Sequence, residues 1–284
     1  MTYVPSMKKL LVCSEQDIPS ANMRDCLLDL AEWEEKGSCE NGIMLKTDGI
    51  YMLTSDRWHV DFDDVVDVSI GMGVDPDLVV FMSRHSSKSE RPTLTVHPLG
   101  NFHGNDVGGL PEKLVKAAPH HMTDALRRIH DTNDIEEMDV TFEVTHHGPW
   151  VDRPTFFIEI GSNEDHWDNK HAAGILAKVL MDIEKSEYPA VVGVGGGHYA
   201  PRFTESALSR KVDFGHMIPN YHLEGSDDED IARMIRDACE ATSTEVVFLH
   251  RKSMKGKLAS RIRDVSESEG FEVVRSSDFD PINQ

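Results

Sequence analysis

Three short segments of this chain gather side chains able to do chemistry. His85, His97, His103, His146, His147, His198 and His216 fall at predicted strand ends or in glycine-rich loops, where α/β sheets place their sites. Imidazole titrates near neutrality and ligates borderline metals. The first segment, SRHSSK from Ser83 to Lys88, brings Arg84, His85, Ser86, Ser87 and Lys88 directly after a strand. It suits holding a phosphate, orienting a water, or a plain polar turn. The second is EVTHHGP with the TFFIEI that follows. Alternation puts Glu143, Thr145 and His147 on one strand face and His146 on the other. Glu159, the one acid of TFFIEI, faces away from Phe156, Ile158 and Ile160. A carboxylate in a buried strand is costly unless paired or ligated. With Glu143 and the imidazoles it suits either a zinc site or a metal-free hydrogen-bonded network.

The third segment is VGVGGGHYAPRFTE, Val192 to Glu205. Gly195, Gly196 and Gly197 let a ligand approach the backbone. His198, Tyr199, Arg202 and Glu205 then offer an acid-base group, a ring, an anion clamp and a carboxylate on one loop. Pro201 is expected to interrupt the helix start, which argues against a dinucleotide fingerprint. The GxSxG, HExxH and Walker patterns are absent from the sequence. The residues alone thus describe a hydrolase-like polar pocket, with zinc or without it, for an anionic ligand.

Alternating strand and helix patterns must position these groups. Strands are predicted over Lys9 to Cys13, Asp77 to Ser83, Thr93 to His97, Asp139 to His147, Thr155 to Ile160, Ala190 to Gly195, Glu245 to His250 and Phe271 to Arg275. Helices are predicted over Asn22 to Lys36 with Ser20 as cap and Gly37 as stop, over Pro119 to His130, over Glu164 to Lys185 with Ser162 as cap, over Asp228 to Ala241 and over Met254 to Glu269. SDDED at Ser226 to Asp230 reads as a helix N-terminus favoured by the dipole. The alternation predicts an α/β fold: a three-layer arrangement with a mixed, largely parallel sheet and helices on both faces, as one compact domain or two intimately packed subdomains.

The 284 residues carry 50 acids against 29 lysines and arginines, a net charge of −21. That field repels nucleic acid at long range, although salt shortens its reach. A nucleic-acid partner therefore needs a local cluster of bases. RKSMKGKLASRIR supplies Arg251, Lys252, Lys255, Lys257, Arg261 and Arg263 without an acid among them. The four cysteines form no CxxC pair, so reduced thiols are expected rather than a disulfide framework or a thiolate zinc site. No apolar run approaches the ~20 residues of a bilayer span. A soluble, cytoplasmic protein without membrane contact is expected.

SRHSSK with TVHPLGN, EVTHHGP with FFIEIGS and Trp167, GVGGGHYAPR with Thr204 and Glu205, and the FGH ending at His216 together resemble the archaeal- and plant-type D-aminoacyl-tRNA deacylases. The motifs follow the family order from Lys9 to about Arg275. The resemblance implies hydrolysis of the ester between a D-amino acid and the terminal ribose of tRNA, dependence on zinc, a monomer, and a phosphorylase/peptidyl-tRNA-hydrolase-like fold. It also implies that residues 1–6 are an N-terminal extension, with Met7 as an alternative start. Joining the resemblance to the residue reading, His85, His198, Glu143 and Glu205 are expected to be catalytic. Ser86, Ser87, Gly196, Gly197, Tyr199 and Arg202 are expected to bind substrate, and His146, His147, His97 and Glu159 to bind metal. The rival expectation is a nucleoside phosphorylase-like enzyme, or a non-catalytic tRNA-binding module, on a similar fold.

Overall fold

The computed structural model describes residues 7–40, 42–88 and 90–282; the expected extension 1–6 lies outside them. The KLLVCS segment forms β1 (Lys9–Ser14), buried along its whole length. Leu11 and Cys13 pack into the core on one face, Leu10 and Val12 into a second core on the other. A strand apolar on both faces belongs inside a sheet covered on both sides. The same division recurs in β5 (Leu78–Arg84) and β8 (Thr155–Gly161), where Phe156, Ile158 and Ile160 face the first core and Phe157 the second.

The first sheet is completed by β2 (Glu34–Cys39), β3 (Gly42–Thr47), β4 (Ile50–Ser55), β6 (Thr93–His97) and β7 (Asp139–Phe142), in the order β2-β3-β4-β1-β5-β8-β6-β7. β1 runs parallel to β4 and β5, and β5 to β8; β6 is antiparallel to β8. A second, wholly parallel sheet has the order β10-β9-β11-β12, from β9 (Ala190–Val194), β10 (Asp213–Ile218), β11 (Val246–Leu249) and β12 (Glu272–Val274). The helices are α1 (Ile18–Leu30), α2 (Val65–Gly71), α3 (Pro119–Thr132), α4 (Glu164–Trp167), α5 (Lys170–Asp182), α6 (Pro201–Ser209), α7 (Asn220–Leu223), α8 (Asp228–Thr242) and α9 (Gly256–Ser268). The α/β class and the largely parallel pairing agree with expectation, but the strands divide between two sheets.

Several local expectations are corrected. Asp17, not Ser20, caps α1: its side chain accepts from the Ser20 amide. That helix stops at Leu30, because Glu34–Cys39 pairs antiparallel with β3 instead of continuing it. The predicted helix Glu164 to Lys185 is broken near Asp168, and Asn163 and Asn169 cap the two pieces, not Ser162. Pro201 opens α6 rather than interrupting it; the first turn needs no N–H from proline. The predicted strand Asp139 to His147 ends at Phe142. Beyond it the chain crosses to the second sheet, where the Val144 amide donates to the His198 carbonyl at 3.0 Å and the Thr145 amide to Met217 O at 3.1 Å.

One apolar cluster runs through both sheets. Phe214 on β10 lies 5.9 Å from Phe142, 5.2 Å from Phe203 and 5.2 Å from Phe248, ring centre to ring centre. Beside it the buried Asp213 carboxylate accepts from Arg127 and pairs with His120, each at 2.8 Å, tying α3 to β10. Phe214→Ala opens a cavity where these elements meet. It is expected to lower unfolding stability by about 3–5 kcal/mol in urea titrations, and a loss below about 1 kcal/mol would show that the two sheets are held together elsewhere.

Candidate active site

Glu143 is the first residue after β7, at the point where the chain turns toward the second sheet. Its carboxylate is fully buried. His198 Nε2 lies 2.8 Å, His85 Nδ1 3.1 Å and His146 Nε2 3.6 Å from the same oxygen, Oε2. Neither oxygen of Glu143 is met along a hydrogen-bonding direction by another described group. The nitrogens are close to the carboxylate, yet aimed past it. Glu159, on the β8 face shared with Phe157, stands 3.5 Å from His85 Nδ1 and 3.6 Å from His97 Nε2.

Backbone carbonyls set the tautomers of the other imidazoles. Nδ1 of His97, His146 and His147 lies 3.1, 2.8 and 2.7 Å from the carbonyls of Pro98, Val144 and Gly148. A carbonyl only accepts, so each Nδ1 carries the proton, and where burial keeps the ring neutral, as at His146 and His147, Nε2 keeps its lone pair. His97 Nε2 is buried without a hydrogen-bond partner among the described residues. His147 adopts a left-handed φ of 40°, a strained conformation for a residue with a Cβ. This and the end of β7 at Phe142 correct the expectation that His146 and His147 face opposite ways: both rings meet His97, at 4.1 and 4.9 Å. Gly148 follows because a Cβ there would stand 2.1 Å from the Gly109 amide nitrogen.

Two adjoining ligand groups result, His97 with His146 and His147, and His85 with Glu143 and His198, the ligand atoms of each within 4.8 Å of one another. A tetrahedral ion with bonds of about 2.1 Å needs ligand atoms about 3.4 Å apart, so both groups can close on a metal. Carbonyls behind the imidazoles are the usual outer shell of such sites. The orphaned Nε2 of His97, the mis-aimed contacts on Glu143 and the N/O donor set therefore fit a borderline divalent cation.

The electrostatics follow from burial and pairing. Burial alone would raise the Glu143 carboxyl, but His198 and His85 outweigh it and hold it well below the usual range. Glu159 is likewise held down, to about 2, by His85 and His97 against its burial. Burial opposes charge on His85, yet the two carboxylates raise it to about 11. Burial and neighbouring imidazoles keep His146 and His147 neutral, the latter at about 4.

These groups open into a cavity of about 410 Å³ walled by Trp58, His59, Val60, Arg84, Ser86, Val107 and Phe157. Arg84 is sandwiched between the rings of Trp58 and Trp167, 4.5 Å from each. Buried Asp17 fixes it from behind, accepting from the Arg84 amide at 3.0 Å. Trp58, His59 and Asp17 were not singled out by sequence; each stands alone among residues of ordinary type. A larger cleft of about 920 Å³ between α8 and α9 contains none of the imidazoles.

Other expected site residues are placed as follows. Tyr199 Oη is 3.0 Å from His85 Nε2. Ser87 donates its amide to Ser162 O. Gly196 donates its amide to Asn220 Oδ1 and Ser253 Oγ, binding its loop to two others, while Gly197 is open to solvent. Arg202 and Glu205 pair with each other at 2.7 Å on α6, outside the cavity lining. The structure thus does not bring Glu205 to the expected catalytic group. His216 is structural: Nε2 donates to Val115 O, and Nδ1 accepts from Thr145.

A family model described as D-aminoacyl-tRNA deacylase matches residues 72–274. A D-aminoacyl-tRNA deacylase of Archaeoglobus fulgidus is 34% identical over 273 residues, covering 94% of this chain and 96% of that one. One of Thermococcus kodakarensis is 35% identical, covering 94% and 99%. One of Methanococcoides burtonii is 34% identical over 97% of this chain, which spans 58% of that relative's length. Among solved structures, a conserved protein of unknown function superposes with a TM-score of 0.87 at 33% identity, covering 98% of this chain and all of that one.

The raised pKa of His85 makes a stability prediction for metal-free protein. A group raised in the folded state contributes fully below its unfolded value, about 6.5, and the contribution fades as pH climbs toward about 11. The stability difference between wild type and His85→Asn is expected to be greatest near pH 6 and to shrink toward pH 10 in urea melts. A difference that grows with pH would mean that His85 is neutral between its carboxylates.

Proposed function

The chain belongs to the D-aminoacyl-tRNA deacylase family, and on that premise we propose that it hydrolyses the ester between a D-amino acid and the terminal ribose of tRNA, releasing both. The observation that carries the reading is the convergence of imidazoles and two buried carboxylates beside one cavity, which His85, His146, His147, His198 and Glu159 line. An aminoacyl ester is already activated, so hydrolysis needs a positioned water, a base and a stabilised oxyanion. No serine or cysteine nucleophile is required.

Zinc is the proposed metal, held by Nε2 of His97, His146 and His147, with His85, Glu143 and His198 beside it. When bound it supplies a water of pKa near 7 and polarises the ester carbonyl. Glu143 and Glu159 balance the positive charge gathered there. His198, 36% exposed, is the member of the set that faces the cavity mouth, where it can pass a proton to the leaving ribose oxygen. Tyr199, whose Oη is 3.0 Å from His85 Nε2, is proposed to hold the ribose. Trp58, Val60 and Phe157 give the amino-acid side chain an apolar wall. A rigid wall admits one enantiomer and collides with the other.

The tRNA body is proposed to rest on the 250s segment. Arg261 and Arg263 are partly neutralised there by Asp228 and Glu267. Arg251, Lys252, Lys255 and Lys257 are exposed and without an ion pair among the described residues. No described helix is long and apolar enough to cross a membrane. We place the enzyme in the cytoplasm, where tRNA is charged, and propose that it acts as a monomer, as the family resemblance implies.

Incubation with D-tyrosyl-tRNA is expected to release D-tyrosine, with L-tyrosyl-tRNA spared and a chelator abolishing the release. His147→Ala is expected to lower the zinc content of the purified protein. Intact D-tyrosyl-tRNA after incubation with zinc-loaded protein would end the hydrolase reading. Replacing Arg251, Lys252, Lys255 and Lys257 together by Ser should weaken tRNA binding and flatten its log–log salt slope by up to about 3, while D-tyrosyl-adenosine is cleaved as before. Equal loss on both substrates would place the tRNA surface elsewhere.

A further inference from the structure

On the far side of His146 and His147 lies a second cavity of about 320 Å³. Val107, His146 and His147 are common walls of the two cavities, so the proposed hydrolytic centre stands between them. The second cavity differs in character from the first. Phe102, His103 and His222 form its wall, with bare backbone at Gly104. The His222 ring lies 5.3 Å from Phe102, 5.0 Å from His103 and 4.6 Å from Tyr221. Tyr221 lies outside the lining itself, against His222, and is 51% exposed, a large ring left open to solvent at the cavity's edge. Burial and then His103 push His222 down to about 4, so its ring is uncharged at neutral pH.

The place of this cavity in the molecule is equally specific. Tyr221 and His222 belong to α7, whose first residue, Asn220, donates from Nδ2 to Ser253 O at 2.6 Å. Ser253 ends the short turn that carries Arg251 and Lys252. The unpaired bases are thus joined directly to the aromatic wall, on the side of the histidines away from Trp58.

We propose that this second cavity is the subsite for the 3′-terminal nucleobase of the tRNA, stacked on Tyr221 and His222, while the Trp58 cavity takes the D-amino acid. The proposal rests on the deacylase reading and adds an orientation to it. The acceptor strand passes Arg251 and Lys252, the terminal adenine stacks beside α7, the ribose ester lies over His146 and His147, and the side chain enters the first cavity. Stacking needs only a flat π-face, which suits an enzyme whose substrates all end in the same nucleotide but differ in sequence.

The test uses zinc-loaded protein with adenosine 5′-monophosphate and ribose 5-phosphate as binding probes, and D-tyrosyl-adenosine and D-tyrosine ethyl ester as substrates. Wild type should bind the nucleotide at least about 10-fold more tightly than the base-free sugar phosphate. Tyr221→Ala and His222→Ala should each weaken nucleotide binding by about 10-fold to 100-fold, and Tyr221→Phe should retain it. The loss in kcat/KM should be at least about 10-fold greater for D-tyrosyl-adenosine than for the ethyl ester. Equal binding of nucleotide and sugar phosphate, nucleotide binding that survives both alanine variants, or equal losses on the two substrates would overturn the assignment. If D-tyrosyl-tRNA is cleaved while any of these holds, only the subsite fails; if D-tyrosyl-tRNA stays intact, the deacylase reading fails.

Discussion

Glu143 is a fully buried carboxylate, and the structure around it is arranged to make that tolerable. An isolated buried anion is costly enough that it would normally take up a proton. Here imidazoles from three separate segments, His85, His146 and His198, lie within 3.6 Å of one oxygen. Glu143 also sits where the chain leaves the first sheet, and its backbone bridges to that of Tyr199 beside the second. Charge balance and the joining of the sheets are therefore one constraint. Losing the Glu143 side chain would leave a cluster of imidazoles facing one another.

A second layer keeps this cluster from adjusting freely. The Pro98, Val144 and Gly148 carbonyls hold three imidazoles by their rear nitrogens. Asp17 and two indoles hold Arg84. The Trp167 Nε1 donates to the His85 carbonyl. Groups held from behind by backbone and aromatic contacts keep their geometry when a ligand arrives, and pre-organisation of this kind is what electrostatic catalysis depends on.

Much of the site is legible in the sequence because its residues break local patterns. Glu159 is an acid in an apolar strand, and His97, His146, His147 and His198 end strands or follow glycines. Their grouping is less legible. That His146 and His147 turn the same way depends on one left-handed backbone angle at His147, which the alternation of a strand cannot express. Asp17 and Trp58 arrive through tertiary packing from distant turns. In the fold, β1, β5 and β8 are plain from their apolar runs, whereas β2 is a polar, exposed strand visible only through its pairing with β3. Likewise RKSMKGKLASRIR contains no acid, but Asp228 reaches it from another helix.

The strand order carries a consequence for how the protein is made. β8 lies between β5 and β6, although it follows both in the chain by more than fifty residues. A nascent chain on the ribosome can pair β1 with β5, and β6 with β7, but the two halves of the first sheet cannot meet until β8 is synthesised and slides between them. That strand also carries Glu159, and His198 emerges later still. Long-range closure of this kind is slow compared with hairpin or helix formation. His85 and His97 are therefore made before their partners, and the candidate ligand groups can close only at the last stage of synthesis.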